Sequence, residues 1–504
     1  MRPPVDQVLT VAEMRAAEVM LIADGTSVDE LMQIAGLSAA EWVWRLAAHR
    51  GVTVLCGPGN NGGDGYVIAE ALRTRGGKVC VIAASQPKTD AARNAAALFG
   101  GEVLGVAASP QGDLLVDCLF GSGLTRALGD DHAALLTRLA ASHRTRIAID
   151  LPSGVESDSG ALLNECLPEY HLTIALGAWK YAHFLMPAAA KMGALRLVGI
   201  GVAAVPGAGE VVRQPRFAEP AADAHKYRRG LLGVIGGEMP GAALLACASA
   251  QGGGAGYVKL LGEGGACAST SSARAELGKD ANPFLTLQST PNPAQAEPVE
   301  ARVLIVPPDL VTDCSALVDA LSDPRLNALL IGPGLGRDAD ARDRLLAVLA
   351  AQVLTVIDAD ALILLTPSDI SARKSPLVAT PHEGELAALE KAFGLTSSGS
   401  KADRARALAA SSGMIIVAKG PDSVITAPDG RTAFAPRASS WLSAAGTGDV
   451  LAGALASRLA TGADPFDAAC QAVWLHGEAA RLAGPALTAS ALAAAMRSAY
   501  AACL

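Results

Sequence analysis

Two groups of residues in this chain have types and spacings suited to chemistry. The first opens with Cys56-Gly57-Pro58-Gly59-Asn60-Asn61-Gly62-Gly63-Asp64-Gly65, where five glycines fall within residues 57–65. Glycine at that density lets a backbone approach a ligand closely, and the free N–H groups of a following helix start favour an anion such as phosphate. A G-x-G-x-x-G fingerprint can be forced onto Gly57, Gly59 and Gly62, but the match is weak; the Asn pair and Asp64 are the unusual part. Two more strand-like runs end in Val116-Asp117-Cys118-Leu119-Phe120-Gly121-Ser122-Gly123-Leu124 and Asp150-Leu151-Pro152-Ser153-Gly154-Val155. In an open parallel sheet, ligands lie beyond the carboxyl ends of the strands, so these loops converge and bring Asn61, Asp117 and Ser153 within reach of one another. An amide oxygen, a carboxylate and a hydroxyl or carbonyl make a hard oxygen set, suited to an alkali or alkaline-earth cation. A single Asp at a strand end is often only a cap. Such loops gathered at one sheet edge make a site.

The second group comprises Ile331-Gly332-Pro333-Gly334-Leu335-Gly336, Asp358-Ala359-Asp360-Ala361-Leu362, Thr380-Pro381-His382-Glu383-Gly384-Glu385, Lys419-Gly420-Pro421-Asp422-Ser423 and Ala445-Gly446-Thr447-Gly448-Asp449. A helical run, Val450–Leu459, follows the last. Gly446-Thr447-Gly448 at a helix start forms an anion hole, its N–H groups and helix dipole aimed at a phosphoryl group. Asp449, in that first turn, can take the proton of a substrate hydroxyl that attacks the phosphate.

Positioning these groups requires alternating strands and helices. In the first 200 residues, Val52–Leu55, Val79–Ala83, Leu114–Val116, Ile147–Ile149, Leu172–Ala175 and Leu195–Val198 are short apolar runs. Helical patterns such as Tyr66–Arg75 and His132–Ala141 lie between them, and Val11–Val43 precedes them as two helices punctuated by Gly25-Thr26-Ser27. Runs apolar on both faces suit a parallel sheet covered by helices. Residues 203–224 hold three prolines and little periodicity, which predicts a linker. A second series follows: Leu231–Ile235, Tyr257–Leu261, Arg302–Val306, Ala328–Ile331, Val353–Ile357, Leu377–Ala379 and Met414–Ala418, then a hairpin at Asp429-Gly430 and Ala-rich helices. Residues 262–300, rich in Ser, Ala, Pro and Gly, read as a surface excursion.

Composition narrows the class. Apolar residues are 51% and charged residues 18%, which excludes a mainly disordered chain, and 53 glycines with 4% aromatics favour α/β over a lectin-like β protein. The net charge of −8 argues against nucleic acid, and the cluster His225-Lys226-Tyr227-Arg228-Arg229 is too small to change that. The nine cysteines are scattered without a C-x-x-C pair, and read as small buried hydrophobes in a reducing compartment. MRPPVDQVLTVAEM lacks the apolar stretch of a signal peptide, and the longest apolar stretch, Leu345–Ile357, is too short for a membrane span. The expectation is a soluble, cytoplasmic chain.

GPGNNGGDGYVIA, VDCLFGSGL and AIDLPSGV together resemble the NAD(P)H-hydrate epimerase family over roughly residues 8–205, and Leu31–Gly36 resembles that family's Met-x-x-Ala-Gly helix. The resemblance implies that Asn60, Asn61, Gly62, Gly63 and Asp64 hold the phosphates and ribose of the hydrated nucleotide. Gly121, Ser122, Gly123, Leu124, Thr125, Arg126 and Ala127 would close over it. Asn61, Asp117 and Ser153 would bind K⁺, and Asp150 would be the general base interconverting the R and S hydrates.

The second half, about 225–500, resembles ribokinase-like enzymes through GTGD, and the ADP- or ATP-dependent NAD(P)H-hydrate dehydratases through TPHEGE, IDADAL and KGPDS. That resemblance implies that Ala242, Gly336, His382 and Asp449 contact the hydrate. Lys419, Gly420, Pro421, Asp422, Ser423 and Gly448 would hold ADP or ATP, with Mg²⁺. HKYRRG and GGEMPGA depart from the family's HKG and GGS, though Ala242 is retained.

The expected molecule has two three-layer α/β/α domains joined near residue 215: a Rossmann-like epimerase over 1–210 and a ribokinase-like dehydratase over 220–504. It would be one bifunctional enzyme, isomerase and lyase, that repairs NADHX and NADPHX as a cytoplasmic homo-oligomer. A kinase for a small alcohol or vitamin precursor with a nucleotide-sensing first domain is the alternative; TPHEGE and IDADAL count against it. A non-enzymatic nucleotide-sensing or RNA-associated scaffold is opposed by the acidic balance and by Asp117 and Asp150.

Overall fold

Along Val52–Cys56 successive side chains turn to opposite faces, and both faces are buried: Val54 and Cys56 enter one apolar core, Leu55 another. Along Leu231–Ile235, Leu232 and Val234 enter one core and Ile235 a second. Strands of this kind need helices on both sides, and three layers result. The computed structural model describes residues 5–110, 112–262, 310–313 and 316–504. The expected excursion from residue 263 on, the run Arg302–Val306, Cys267 and Cys314 lie outside them. Two compact units account for the chain: Met1–Val211 with Gly399–Lys401, and the remainder.

The main sheet of the first unit has seven parallel strands: β1 (Val52–Cys56), β2 (Val79–Ala83), β3 (Glu102–Leu104), β4 (Gly112–Cys118), β5 (His143–Ile149), β6 (Leu172–Leu176) and β7 (Ala194–Val198). Their order is β3-β2-β1-β4-β5-β6-β7. Since β4 lies between β1 and β5, the loops after these strands emerge side by side. Helices Val28–Ala47, Asn60–Thr74 and Asp90–Leu98 cover one face, and Asp130–Ser142 the other. Ser27 caps the helix Val28–Ala47, its hydroxyl accepting from Glu30 N while the Glu30 carboxylate accepts from Ser27 N, so the predicted punctuation is a capping box.

Two expectations need correction. The helix after β1 begins at Asn60 instead of near Tyr66, so the second half of the glycine-rich segment is helix. The expected linker contains the strand Gly209–Val211, antiparallel to Gln7–Leu9, which also pairs in parallel with Trp179–Lys180. Three-residue strands like these have too few positions to show a period.

The second unit contains β8 (Leu231–Ile235), β9 (Tyr257–Leu261), β10 (Val311–Asp313), β11 (Leu326–Ile331), β12 (Leu354–Ile357), β13 (Leu377–Ala379), β14 (Ile415–Ala418), β15 (Val424–Thr426) and β16 (Thr432–Phe434). They run β10-β9-β8-β11-β12-β13-β14-β15-β16, parallel as far as β14 and antiparallel through the hairpin that follows. Helices Pro240–Gly252, Thr447–Ala460, Pro465–Ala483 and Ala489–Ala501 share one core. Ala339–Ala350, Glu383–Ala392 and Lys401–Ser412 help to form the other. Not every cysteine is buried: Cys166 is exposed, on a surface segment after the third loop, and Cys80 and Cys470 are half-buried. Among the described residues no helix is long and apolar enough to cross a membrane.

Candidate functional site

In the first unit, Asn60, Asn61, Asp64, Gly121, Ser122, Gly123, Leu124, Thr125, Arg126, Ala127 and Asp150 line one cavity of about 730 Å³. That is ample for a small ligand. Gly62 and Gly63 do not line it. A Cβ on Gly57 would stand 1.8 Å from the Leu119 carbonyl oxygen, on Gly62 1.9 Å from the Gly57 carbonyl oxygen, and on Gly63 2.5 Å from Met32 Cε. A Cβ on Gly65 would meet Cys56 Sγ at 2.7 Å. Gly62, Gly63 and Gly65 therefore let the helix Asn60–Thr74 pack flush on its neighbours, and Gly57 lets the loop before it close on the loop after β4. Of the five, Gly59 alone has nothing near its Cβ position, and it lines the cavity.

Asp150, just past β5, has φ +64°, a left-handed conformation costly for a residue with a Cβ and common at functional sites. Its neighbours hold it there. The Lys180 ammonium donates to Oδ1 at 2.6 Å and Ser122 N to Oδ2 at 2.9 Å, while Asp150 N donates to the Ile174 carbonyl at 2.7 Å. Lys180 is fully buried and also donates to the Leu176 carbonyl at 2.6 Å. Burial alone would raise the Asp150 carboxyl, but the Lys180 charge and these donors outweigh it and hold the carboxyl below its usual range. Asp64 goes the other way: burial first, then the negative charges of Asp150 and Glu18, push it well above the carboxylate range. One cavity is thus lined by two carboxyls whose proton affinities are pushed in opposite directions, Asp150 down and Asp64 up, the pattern of an acid–base pair.

Asp117 and Ser153 come together but do not line the cavity. The buried Asp117 carboxylate accepts from Ser153 Oγ at 2.7 Å, Ser153 N at 3.1 Å, Leu119 N at 3.0 Å and the Tyr170 hydroxyl. Burial still raises its carboxyl. Asn61 differs, because both polar atoms of its buried amide lack a hydrogen-bond partner. Its amide oxygen lies 3.4 Å from where a Cβ on Gly121 would be.

In the second unit, Asp449 sits in the first turn of Thr447–Ala460, after Gly446 at φ +86°. Its carboxyl is pushed up to about 6, by burial first and then by the charge of Asp358, against the opposing Lys419 ammonium. Lys419 is fixed by Asp358 Oδ1 at 2.6 Å, which also accepts from Thr380 Oγ1 at 2.7 Å. A Cβ on Gly448 would lie 3.5 Å from Lys419 Nζ, so Lys419 and the helix start face one another. Gly336 N donates to Asp360 Oδ2 at 3.2 Å, and Ala242 stands in the first turn of Pro240–Gly252, whose Leu245 packs on Gly446. His382 caps the helix Glu383–Ala392: Nδ1 accepts from Gly384 N at 3.0 Å and Glu385 N at 3.3 Å. Its ring is otherwise largely exposed, with Nε2 3.4 Å from Glu385 Oε1. Gly420 and Pro421 are exposed, Asp422 is buried, and the Ser423 hydroxyl closes their turn on Gly420.

Sequence reasoning missed Lys180, Tyr170 and Glu18, and gave Asp358 and Asp360 no role. For Lys180 a signal existed: it is a lone cation inside the apolar run LTIALGAWKYAHFLM, and a buried ammonium needs an anion.

A family model for NAD(P)H-hydrate dehydratase matches residues 232–500, and one for the YjeF-related protein N-terminus matches residues 28–182. The bifunctional NAD(P)H-hydrate repair enzyme of Gloeobacter violaceus is 33% identical over 93% of this chain and 92% of its own length. That of Moorella thermoacetica is 30% identical over 90% and 88%. A solved structure of the ADP/ATP-dependent NAD(P)H-hydrate dehydratase from Bacillus subtilis is 26% identical, covering 57% of this chain and 94% of that one, with a TM-score of 0.43. With both family models matched in series and full-length relatives on the same plan, the chain belongs to the family of bifunctional NAD(P)H-hydrate repair enzymes.

Proposed function

We propose that the first unit interconverts the R and S hydrates of NADH and NADPH, and that the second dehydrates the S form at the expense of ADP or ATP. The observation that carries this reading is a differently tuned carboxylate in each unit. Asp150 is held ionised by Lys180, while Asp449, raised to about 6, stands against Lys419 at a helix start. In the first cavity Asp150 takes the proton and the neutral Asp64 carboxyl returns one. Asn60 and Arg126 would hold the nucleotide, and Asn61 would meet the reacting ring or the cation.

In the second unit Asp449 accepts the proton of the hydrate's hydroxyl as that oxygen attacks the terminal phosphorus of ADP or ATP. Expulsion of phosphate from the ring carbon that bore the hydroxyl, with loss of a proton from the neighbouring carbon to solvent, then restores the ring double bond. The amides of Gly446–Gly448 and Lys419 stabilise the charge on the transferred group. Ala242, Gly336 and His382 would bound the hydrate, and Lys419–Ser423 with Gly448 the nucleotide.

Asn61, Asp117 and Ser153 are oxygen donors suited to K⁺, and the unsatisfied Asn61 amide oxygen together with the buried Asp117 carboxylate, which has no cationic partner among the described residues, fits such an ion. Among the described residues no group of three or more His, Cys, Asp or Glu is arranged to hold a metal. Mg²⁺ would arrive on the nucleotide's phosphates, within the field of the Asp358 and Asp449 carboxyls. Incubation with chemically prepared NADH hydrate, with and without ADP, ATP, Mg²⁺ and K⁺, tests the reading. Dihydronicotinamide absorbance should recover only with a nucleotide; no recovery under any combination would refute it.

A further inference from the structure

A second cavity, of about 470 Å³, lies in the second unit and has no part in the chemistry above. Four guanidiniums line it, from Arg216, Arg228, Arg229 and Arg458, and no acidic residue does. Arg458 is the anchor. It is 8% exposed, lies 4.1 Å over the Phe217 ring, and donates to Gln471 Oε1 at 2.8 Å and to the Gly253 carbonyl at 3.4 Å. Those acceptors are neutral, and among the described residues Arg458 has no ion pair. Nor do Arg216 and Arg229; Arg228 alone is paired, with Asp223 at 2.6 Å.

Part of this charge has a structural explanation. The cavity lies where the helices Pro240–Gly252 and Thr447–Ala460 end, and each C-terminus offers roughly half a negative charge. Four guanidiniums, less one for Asp223 and about one for two helix ends, leave roughly two positive charges uncompensated. A phosphomonoester carries about −1.5 to −2 near neutral pH, and Arg presents a planar donor fork that matches it. The volume exceeds that of a phosphate group, and Phe217, Pro220, Ala221 and Ala463 give the rest of the wall an apolar surface for a small organic body.

We infer that this cavity is a second anion site, which takes the phosphate of a small phosphomonoester. It is separate from the dehydratase centre: Asp449 and Arg458 occupy the first and last turns of one helix, about 14 Å apart at the usual rise.

The test is calorimetric titration of the full chain with inorganic phosphate and with AMP, comparing wild type, Lys419→Gln and Arg216→Gln/Arg229→Gln. Both exposed arginines can be replaced without disturbing the core, and Lys419→Gln weakens phosphate binding at the dehydratase centre alone. One binding event should persist in Lys419→Gln and weaken at least ~10-fold in the double variant, and added salt should weaken it further. AMP binding more tightly than phosphate at that event would identify an organic phosphate as the occupant; equal affinity would identify free phosphate. Unchanged stoichiometry and affinity in the double variant would overturn the site, as would loss of all binding in Lys419→Gln.

Discussion

Asp150 carries a proton-affinity problem that Lys180 solves. A carboxylate this buried would ordinarily hold its proton, and the ammonium 2.6 Å away reverses that. A general base acts only when ionised, so epimerisation should lose activity as pH falls through the Asp150 pKa, a limb that lies below the ordinary carboxylate range of about 4. Lys180→Gln keeps a hydrogen-bond donor but removes the charge, leaving burial to win. The acid limb of the kcat/KM profile should then move upward, and activity below the limb should fall about tenfold for every pH unit that it moves. An unmoved limb would dismiss Asp150 as the base. For dehydration the same need for an ionised base gives a rise through about pH 6, where Asp449 ionises. Asp449→Asn should abolish that inflection and lower the rate by at least ~10²-fold, while epimerisation continues. Asp150, Asp117 and Asp449 were legible because each sits at a strand end or helix start. Tyr170 and Glu18 were not, since they meet their partners only through packing.

At the scale of the element, the glycine-rich segment shows why residue type can be legible while its reason is not. Five glycines suggest a backbone opened to a ligand, yet four are required where backbone meets its neighbours: Gly57 and Gly62 against loop carbonyls, Gly63 against Met32 of the helix Val28–Ala47, and Gly65 against Cys56 and Cys118 of the sheet. Gly62→Ala would drive a methyl group to 1.9 Å from the Gly57 carbonyl oxygen, backbone against backbone, and should destabilise the protein by at least ~3 kcal/mol or prevent folding. Gly59→Ala meets nothing within 4 Å at φ −95° and should leave the melting temperature nearly unchanged while weakening ligand binding. Thermal unfolding followed by circular dichroism compares the two; equal losses would mean that the helix is not seated as described. Apolar runs revealed the central strands because both faces are buried. The edge strand β3 and Gln7–Leu9 escaped, being three residues each and defined mainly by backbone pairing.

At the scale of the whole chain, the Pro-rich stretch read as a linker is divided between the two units. Gly209–Val211 is a strand beside Gln7–Leu9. Immediately afterwards Val212 N donates to the Phe434 carbonyl at 2.9 Å, Phe217 N donates to the Cys503 carbonyl at 2.7 Å, and the Phe217 ring stacks on Tyr500 at 4.6 Å. Proline and low periodicity signal the absence of a helix, but they do not report hydrogen bonds made by an extended backbone, so the stretch looked free. The position of a cut therefore matters. Division at Ala221 would strip the second unit of Val212, a buried core residue, and of Phe217 beneath Arg458. Division between Val211 and Val212 spares both. Expressed separately, residues 1–211 should equilibrate the R and S hydrates without nucleotide, and residues 212–504 should consume the S form with ADP or ATP and then stop. Mixing the two should restore consumption of the R form. A fragment beginning at residue 222 should melt at a lower temperature than one beginning at 212, because it lacks those backbone bonds and the stacked ring. If 1–211 folds but neither binds nor epimerises the hydrate, or if both C-terminal fragments melt together, this division of the chain is wrong.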